Sequence, residues 1–342
     1  MNQANTQSKA MILGCAGQTL SADEKAFYRD ERPWGFILFA RNCGEPQQIR
    51  DLVADLRDSV GRPDAPVLID QEGGRVQRIR PPHVEAYPPA ARLGEIYAAD
   101  RGAGLRAAWL MSRLHAFDLT RLGITIDCLP VLDVLIEGAT QAIGNRSYGS
   151  DPAMVTALGT AAAEGLKAGG MLPVMKHMPG HGRAMADSHH DLPVVHASRV
   201  ELEAQDFAPF RALRSELMGM SAHILFTAID AERPATTSPI VISEIIRGHI
   251  GFDGLLLSDD SSMNALKGTI GERAADILAG GCDIVLHCNG LMDEMKAVVE
   301  RVPVLSGRSL ERAKAVEAAF PTPDATSEDA ARAEFRALIG GV

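Results

Sequence analysis

Eight short apolar runs, spread along the chain and separated by longer amphipathic stretches, constrain the fold more than any other feature of this sequence. The runs are Ala10–Gly14, Gly35–Phe39, Pro66–Ile69, Ile124–Cys128, Leu172–Met175, Gly219–Ser221, Gly254–Leu257 and Cys282–Leu286. Each has the length of a strand buried on both faces. Between them lie stretches with helical spacing: Pro46–Val60, in which Ile49, Leu52, Val53 and Leu56 share one face, then Leu105–Leu122, Pro152–Ala168, Arg199–Arg214 and Ile240–Ile250. Strand followed by helix, repeated, implies parallel strands joined by right-handed crossovers. Eight such units predict an α/β fold of the closed (β/α)8 TIM-barrel type rather than an open doubly wound sheet. No G-x-G-x-x-G follows the first strand, which removes the main signal of a dinucleotide-binding sheet.

The 342 residues fit one such barrel with a tail. Residues 1–9 are polar and read as a disordered N-terminal segment, and residues 10–342 as a single barrel domain. Its tail, 304–342, reads as two helices, Ser309–Phe320 and Glu328–Leu338, on either side of a Pro321–Pro323 break. That tail is too short for a core of its own and is expected to pack on the outside of the barrel.

Charge and composition narrow the function classes. The chain carries 34 Lys+Arg against 44 Asp+Glu, a net charge of −10, and has no basic stripe, which argues against nucleic-acid binding. Its 46% apolar content argues against disorder. No run approaches the roughly 18 apolar residues of a membrane span. The run Ile12-Leu13-Gly14-Cys15 is too short for the apolar core of a secretion signal and reads as part of a strand. Five cysteines, at 15, 43, 128, 282 and 288, form no C-x-x-C and are expected to be reduced thiols of a cytoplasmic protein. A monomer with neither nucleic-acid nor membrane partners is expected.

In a barrel of this kind chemistry gathers where the strands end. The third run ends in Asp70-Gln71-Glu72, the fourth near Asp127 and Asp133, and the fifth in Lys176-His177. The sixth ends in Ala222-His223, the seventh in Ser258-Asp259-Asp260 and the eighth in His287-Cys288-Asn289. Buried charges cost several kcal/mol unless paired, so a charged or imidazole group at nearly every strand end points to a polar pocket (roughly). The segment Lys176–Asp191 is the densest, with His177, His181, His189, His190, Asp187 and Asp191 and neither helical nor strand period. Asp259 ends a buried strand and is positioned to attack an anomeric carbon, whereas Asp260 reads as a turn residue. His189, two residues after Asp187, is suited to proton transfer near neutral pH, with Asp187 orienting its ring. Two rival readings stay open on these residues. One is a metal-dependent barrel hydrolase using the His-rich loop, although His177 and His181 are interrupted by Pro179-Gly180 and do not share a helix face. The other is a sugar-binding protein without catalysis.

These residues form a pattern. Lys176-His177-Met178-Pro179-Gly180-His181-Gly182, followed by Ala186-Asp187-Ser188-His189, resembles the hallmark of glycoside hydrolase family 3. The segment Asp70-Gln71-Glu72-Gly73-Gly74-Arg75-Val76-Gln77-Arg78 is similar to that of its β-N-acetylhexosaminidase branch. So are Gly144-Asn145-Arg146-Ser147-Tyr148, Gly251-Phe252-Asp253-Gly254, Ser258-Asp259-Asp260 and Ser262-Met263. The resemblance runs in order from about residue 10 to 300. Met178 stands where Phe is common and Ser261 where Leu is common, both beside the motifs. The resemblance implies a cofactor-free, retaining exo-β-N-acetylglucosaminidase. It would release terminal N-acetylglucosamine from 1,6-anhydro-muropeptides in peptidoglycan recycling, through a covalent glycosyl-Asp intermediate. It implies Asp259 as nucleophile, His189 as general acid/base and Asp187 as its partner. Asp70, Arg78, Arg146, Lys176 and His177 would bind the sugar's hydroxyls. Lys176, Arg78 and Arg146 lead to the expectation of a locally basic pocket, and the 5% aromatic content fits an exo-acting site rather than a long stacking cleft.

Overall fold

The computed structural model describes residues 7–136, 138, 142–184 and 191–340. Thirteen strands are formed among them: β1 Lys9–Leu13, β2 Pro33–Leu38, β3 Val67–Ile69, β4 Gln71–Gly73, β5 Val76–Gln77, β6 Ile126–Asp127, β7 Leu172–Pro173, β8 Met175–Met178, β9 Val194–Val195, β10 Met218–Ser221, β11 Leu225–Phe226, β12 Leu255–Asp260 and β13 Ile284–His287. Nine of them make one sheet in the order β7-β6-β3-β2-β1-β13-β12-β10-β8. Every pairing in it is parallel. The two ends of this order, β7 and β8, are consecutive in the chain and separated only by Val174. The fifth strand position therefore joins both edges of the sheet, which makes the near-closed core of a (β/α)8 barrel. A bridge from Val131 to Lys176 adds to the seam.

The expected run Leu172–Met175 is thus two segments rather than one. The first pairs with β6 on one side of the seam and the second with β10 on the other. The helices follow their local chemistry. Pro46–Val60 starts with proline in its first turn, where no N–H is needed, and stops at Gly61 with φ +64°. Pro152–Ala168 is capped by Asp151, which accepts the N–H of Ala153. Both helices have the expected bounds. The expected Leu105–Leu122 helix begins four residues earlier, at Arg101, because Asp100 caps it, and it ends at Thr120. The expected Arg199–Arg214 helix breaks into Arg199–Ala204 and Ala208–Ala212, with Pro209 opening the second. Val241–His249 is helical with wide π turns.

Order begins earlier than residue 10. Ser8 is buried, its hydroxyl accepts from Arg62 Nη1 at 2.9 Å, and Lys9 opens β1, so the expected disorder through residue 9 is corrected for these two positions. At the other end, Gly307–Ala318 and Glu328–Ile339 are helical. They are tied to the barrel by Trp34 Nε1 donating to Glu317 at 2.9 Å, by Arg113–Asp324 at 2.9 Å, and by Arg332 to the buried Asp118 at 2.5 Å. No disulfide joins the five cysteines, and among the described residues no helix is long and apolar enough to cross a membrane.

Candidate active site

The C-terminal ends of the barrel strands open into a cavity of about 200 Å³ whose lining includes Asp70, Arg78, Arg146, Lys176, His177 and Asp259. Six of the eight site residues expected from the sequence therefore meet in one place. The other two, Asp187 and His189, lie outside the described residues.

β3 delivers Asp70 to the rim, and the chain then turns back on itself as the antiparallel hairpin β4–β5. The turn uses Gly73 at φ +92° and Gly74 at φ +56°, and a Cβ on Gly73 would sit 2.4 Å from the Pro88 carbonyl oxygen. The hairpin was not foreseen, because its strands have three and two residues and no apolar alternation. It returns Arg78 to Asp70, with Nη2 donating to Oδ2 at 2.8 Å, while the guanidinium lies 4.7 Å from the centre of the Phe39 ring. Gln71 locks the turn: its side-chain oxygen accepts the N–H groups of Arg78 and Ile79 at 3.0 and 3.1 Å. Its own N–H donates to the buried Asp127 at 2.9 Å.

Lys176, on β8 and 2% exposed, donates to Asp70 Oδ1 at 2.7 Å and pairs with Glu72 Oε1 at 2.6 Å. Arg146 meets Glu72 with a two-pronged bond, Nε to Oε2 at 2.8 Å and Nη2 to Oε1 at 2.7 Å. Burial alone would raise the carboxyls of Asp70 and Glu72. Lys176 and Arg78 outweigh it at Asp70, which is held well below the usual carboxylate range, and Arg146 and Lys176 bring Glu72 down to about 2. Burial would lower the Lys176 ammonium, but the same two carboxylates raise it. The three cations face two carboxylates, so the network keeps one net positive charge, and the expected locally basic character comes down to that single charge. Sequence reasoning saw the cations and left out Glu72, although Asp70 and Glu72 stand two apart at a strand end, the spacing that puts side chains on one face.

Asp133, fully buried beyond β6, was also left out of the expected site. Its Oδ2 takes the Nδ1 of His177 at 2.7 Å, and its Oδ1 accepts the backbone N–H of His181 at 2.7 Å. Burial pushes the His181 imidazole down to about 4.

Asp259 stands across this network at the end of β12 and accepts the N–H of Asp260 at 2.8 Å. Burial raises its carboxyl, yet the adjacent His223 and that N–H hold it below its ordinary value, which favours the anion. The neighbouring Asp260 is spent on the fold: its carboxylate accepts Ser262 Oγ at 2.6 Å and the N–H of Cys288 at 3.1 Å. His223 Nε2 meets the Asp260 carbonyl oxygen at 3.0 Å. Among the described residues no group of three or more His, Cys, Asp or Glu side chains is arranged to hold a metal ion.

Comparisons with known proteins agree with this architecture. The glycosyl hydrolase family 3 N terminal domain matches residues 8–318. A β-hexosaminidase of Chromobacterium violaceum is 37% identical over 336 residues, spanning 94% of this chain and 92% of its own length. NagZ from Neisseria gonorrhoeae, solved in complex with N-trifluoroacetyl-D-glucosamine, superposes with a TM-score of 0.84 at 33% identity, over 97% of this chain and 96% of that one. A family 3 β-N-acetylglucosaminidase from Paenibacillus superposes with a TM-score of 0.85 at 30% identity, over 96% of this chain and 66% of that longer one. By family match, by sequence along nearly its whole length and by fold, this chain belongs to glycosyl hydrolase family 3, as a glycoside hydrolase homologous to the bacterial β-N-acetylhexosaminidases.

Proposed function

We propose that this β-N-acetylhexosaminidase is a retaining exo-β-N-acetylglucosaminidase that removes terminal N-acetylglucosamine from 1,6-anhydro-muropeptides through a covalent glycosyl-Asp259 ester. The observation that carries the reading is the contrast among the site's carboxylates. Asp70, Glu72 and Asp133 are bound by Lys, Arg or His side chains, whereas among the described residues Asp259 accepts a single backbone N–H, is held as an anion and lines the same cavity. A carboxylate of that kind is suited to attack carbon.

In this reading Asp70, Arg78, Arg146, Lys176 and His177 hold the sugar's hydroxyls, so that binding energy goes into placing C1 over Asp259. A bond forms between an Asp259 oxygen and C1 as the bond from C1 to the aglycone oxygen breaks, and His189 gives its proton to that oxygen. His189, now neutral, takes a proton from water. The water oxygen bonds to C1, the ester to Asp259 breaks, and the configuration at C1 is retained. Asp187 orients the His189 ring and stabilises its protonated form. The amino-sugar preference is supported by the N-trifluoroacetyl-D-glucosamine held by the gonococcal relative. The compact cavity and the 5% aromatic content fit an exo-acting site. The five free thiols fit a reducing cytoplasm, where a monomer needing no cofactor would act.

Trapping with a 2-fluoro-sugar bearing a good leaving group tests this directly. Digestion and mass spectrometry should place the sugar on Asp259. A label on Asp260, or turnover without any covalent label, would overturn the nucleophile assignment.

A further inference from the structure

We infer that Asp133 is a positioning residue of the sugar site: it fixes His177 in one neutral tautomer, with the proton on Nδ1 and the Nε2 lone pair turned toward the pocket as a hydrogen-bond acceptor. The inference rests on the sugar-binding reading of His177 given above and goes beyond it by assigning how that histidine is set.

Asp133 is 0% exposed. Its carboxylate accepts three bonds from one short segment: His177 Nδ1 on Oδ2 at 2.7 Å, and the backbone N–H groups of His177 and His181 on Oδ1 at 3.2 and 2.7 Å. Burial would raise its carboxyl, but these partners hold it below its ordinary value, in keeping with the anion. An ionised carboxylate only accepts, so the hydrogen between it and His177 belongs to Nδ1. The opposite ring nitrogen, Nε2, faces Arg146 Nη2 at 3.4 Å. A guanidinium only donates, and a proton on Nε2 would set two donors against each other. Both neighbours thus select the same tautomer, one from each side of the ring. Arg146 is already committed to Glu72 through its two short bonds, so its longer contact with Nε2 leaves that lone pair available to a better donor. A sugar hydroxyl entering the pocket is such a donor.

Asp133 is itself held in place by tight packing of its chain against the loop it serves. Leu132 N–H donates to Lys176 O at 2.7 Å, Ile136 N–H to Gly182 O at 3.3 Å, and Ser147 Oγ to Asp133 O at 2.7 Å. A Cβ on Gly182 would lie 1.8 Å from the Val134 carbonyl oxygen, so only glycine permits this approach. The same carboxylate therefore sets the His177 ring and ties down the start of the loop that leads to Asp187 and His189.

The test is nitrogen NMR of the whole enzyme labelled with 15N-histidine, with the His177 signals assigned by their loss in His177→Gln. In the unaltered enzyme the expected result is a protonated Nδ1 and an unprotonated Nε2. Asp133→Asn keeps the shape but can present an amide N–H to Nδ1, which would move the proton to Nε2. The variant should then lower kcat/KM for an aryl β-N-acetylglucosaminide about 10- to 100-fold, mainly through KM, as when the partner that orients a functional histidine is lost. An Nε2-protonated His177 in the unaltered enzyme would overturn the inference. So would an Asp133→Asn enzyme that keeps its KM, or one whose KM rises while the His177 tautomer stays the same. The nitrogen signals report on Asp133 whether or not the enzyme turns over, so absence of any amino-sugar glycosidase activity would count against the proposed function alone.

Discussion

Lys176 Nζ lies 2.7 Å from Asp70 Oδ1 although 106 residues separate the two in the chain. The pair spans the barrel mouth from β8 to the end of β3, and the ammonium also holds Glu72. Removing it takes one charged partner from each of two buried carboxylates. Arg78 and Arg146 remain beside them, so the cost stays below the roughly 3–5 kcal/mol of stranding a lone buried charge. Lys176→Met should therefore lower unfolding free energy by about 2 kcal/mol and raise KM at least tenfold. Urea denaturation and steady-state kinetics measure the two effects, and a loss of stability within error of zero would show that the network does not contribute to the fold.

Glu72 makes the same network pH-sensitive. Its carboxyl falls from an ordinary 4.5 to about 2 in the folded protein, because Arg146 and Lys176 outweigh the effect of burial. A lowered folded value means the stabilisation is fully present above about pH 4.5 and is lost as pH falls toward 2. The shift corresponds to on the order of 3 kcal/mol. Glu72→Gln should be less stable than the unaltered enzyme at neutral pH and should show a flatter acid limb between those values. Denaturation midpoints collected from pH 2 to 7 would give parallel curves for the two proteins if Glu72 were not ionised in the fold.

Much of the frame behind these residues is legible in the sequence, because apolar runs and helical spacing are local. Pro46–Val60 and Pro152–Ala168 are bounded by proline, glycine or aspartate at their ends, and these signals can be read without a structure. What local pattern could not supply was pairing at a distance. The split of the fifth strand at Val174 follows from closure of the ring, which no window of a few residues contains. The hairpin from Gln71 to Gln77 is polar and short, and it is held by Gln71 and by the Gly74 N–H on the Tyr87 carbonyl rather than by apolar alternation. Asp70, Lys176, His177 and Asp259 could be read as a set because each stands at a strand end, whereas Arg78 and Arg146 stand in motifs legible only through the family resemblance. Glu72 and Asp133 went unseen as members because their roles depend on Lys176 and His177 from β8 and on Arg146 from the turn Gly144–Arg146, all distant in the chain.

Gly182 offers a backbone test of the seam between the fourth and fifth strand positions. A methyl group there would meet the Val134 carbonyl oxygen at 1.8 Å, and the two backbones would have to part. Gly182→Ala should cost about 1–3 kcal/mol, the usual range for forced overpacking, and should depress turnover by displacing the start of the catalytic loop. Gly17, where an added Cβ meets nothing within 4 Å, is the control, and Gly17→Ala should leave both stability and turnover unchanged. Equal behaviour of the two variants would show that the close approach is not needed.

The proposed division of labour between Asp259 and His189 has the sharpest kinetic signature. Asp259 accepts one backbone N–H and makes no ion pair among the described residues, so Asp259→Ala should fold normally while turnover falls by several orders of magnitude. His189→Ala removes the proposed proton donor. Its loss should be small on an aryl glycoside whose leaving group departs as an anion, and large on a sugar aglycone that must be protonated as it leaves. Azide or another small nucleophile should then release the glycosyl ester of the His189→Ala enzyme faster than water does, since an anion needs no general base. Because Asp259 and His189 carry both steps without a metal ion in this mechanism, EDTA should leave the rate unchanged. Equal losses on the two substrates would remove His189 from the acid role, and inactivation by EDTA restored by added metal would return the His-rich loop to a metal-dependent mechanism.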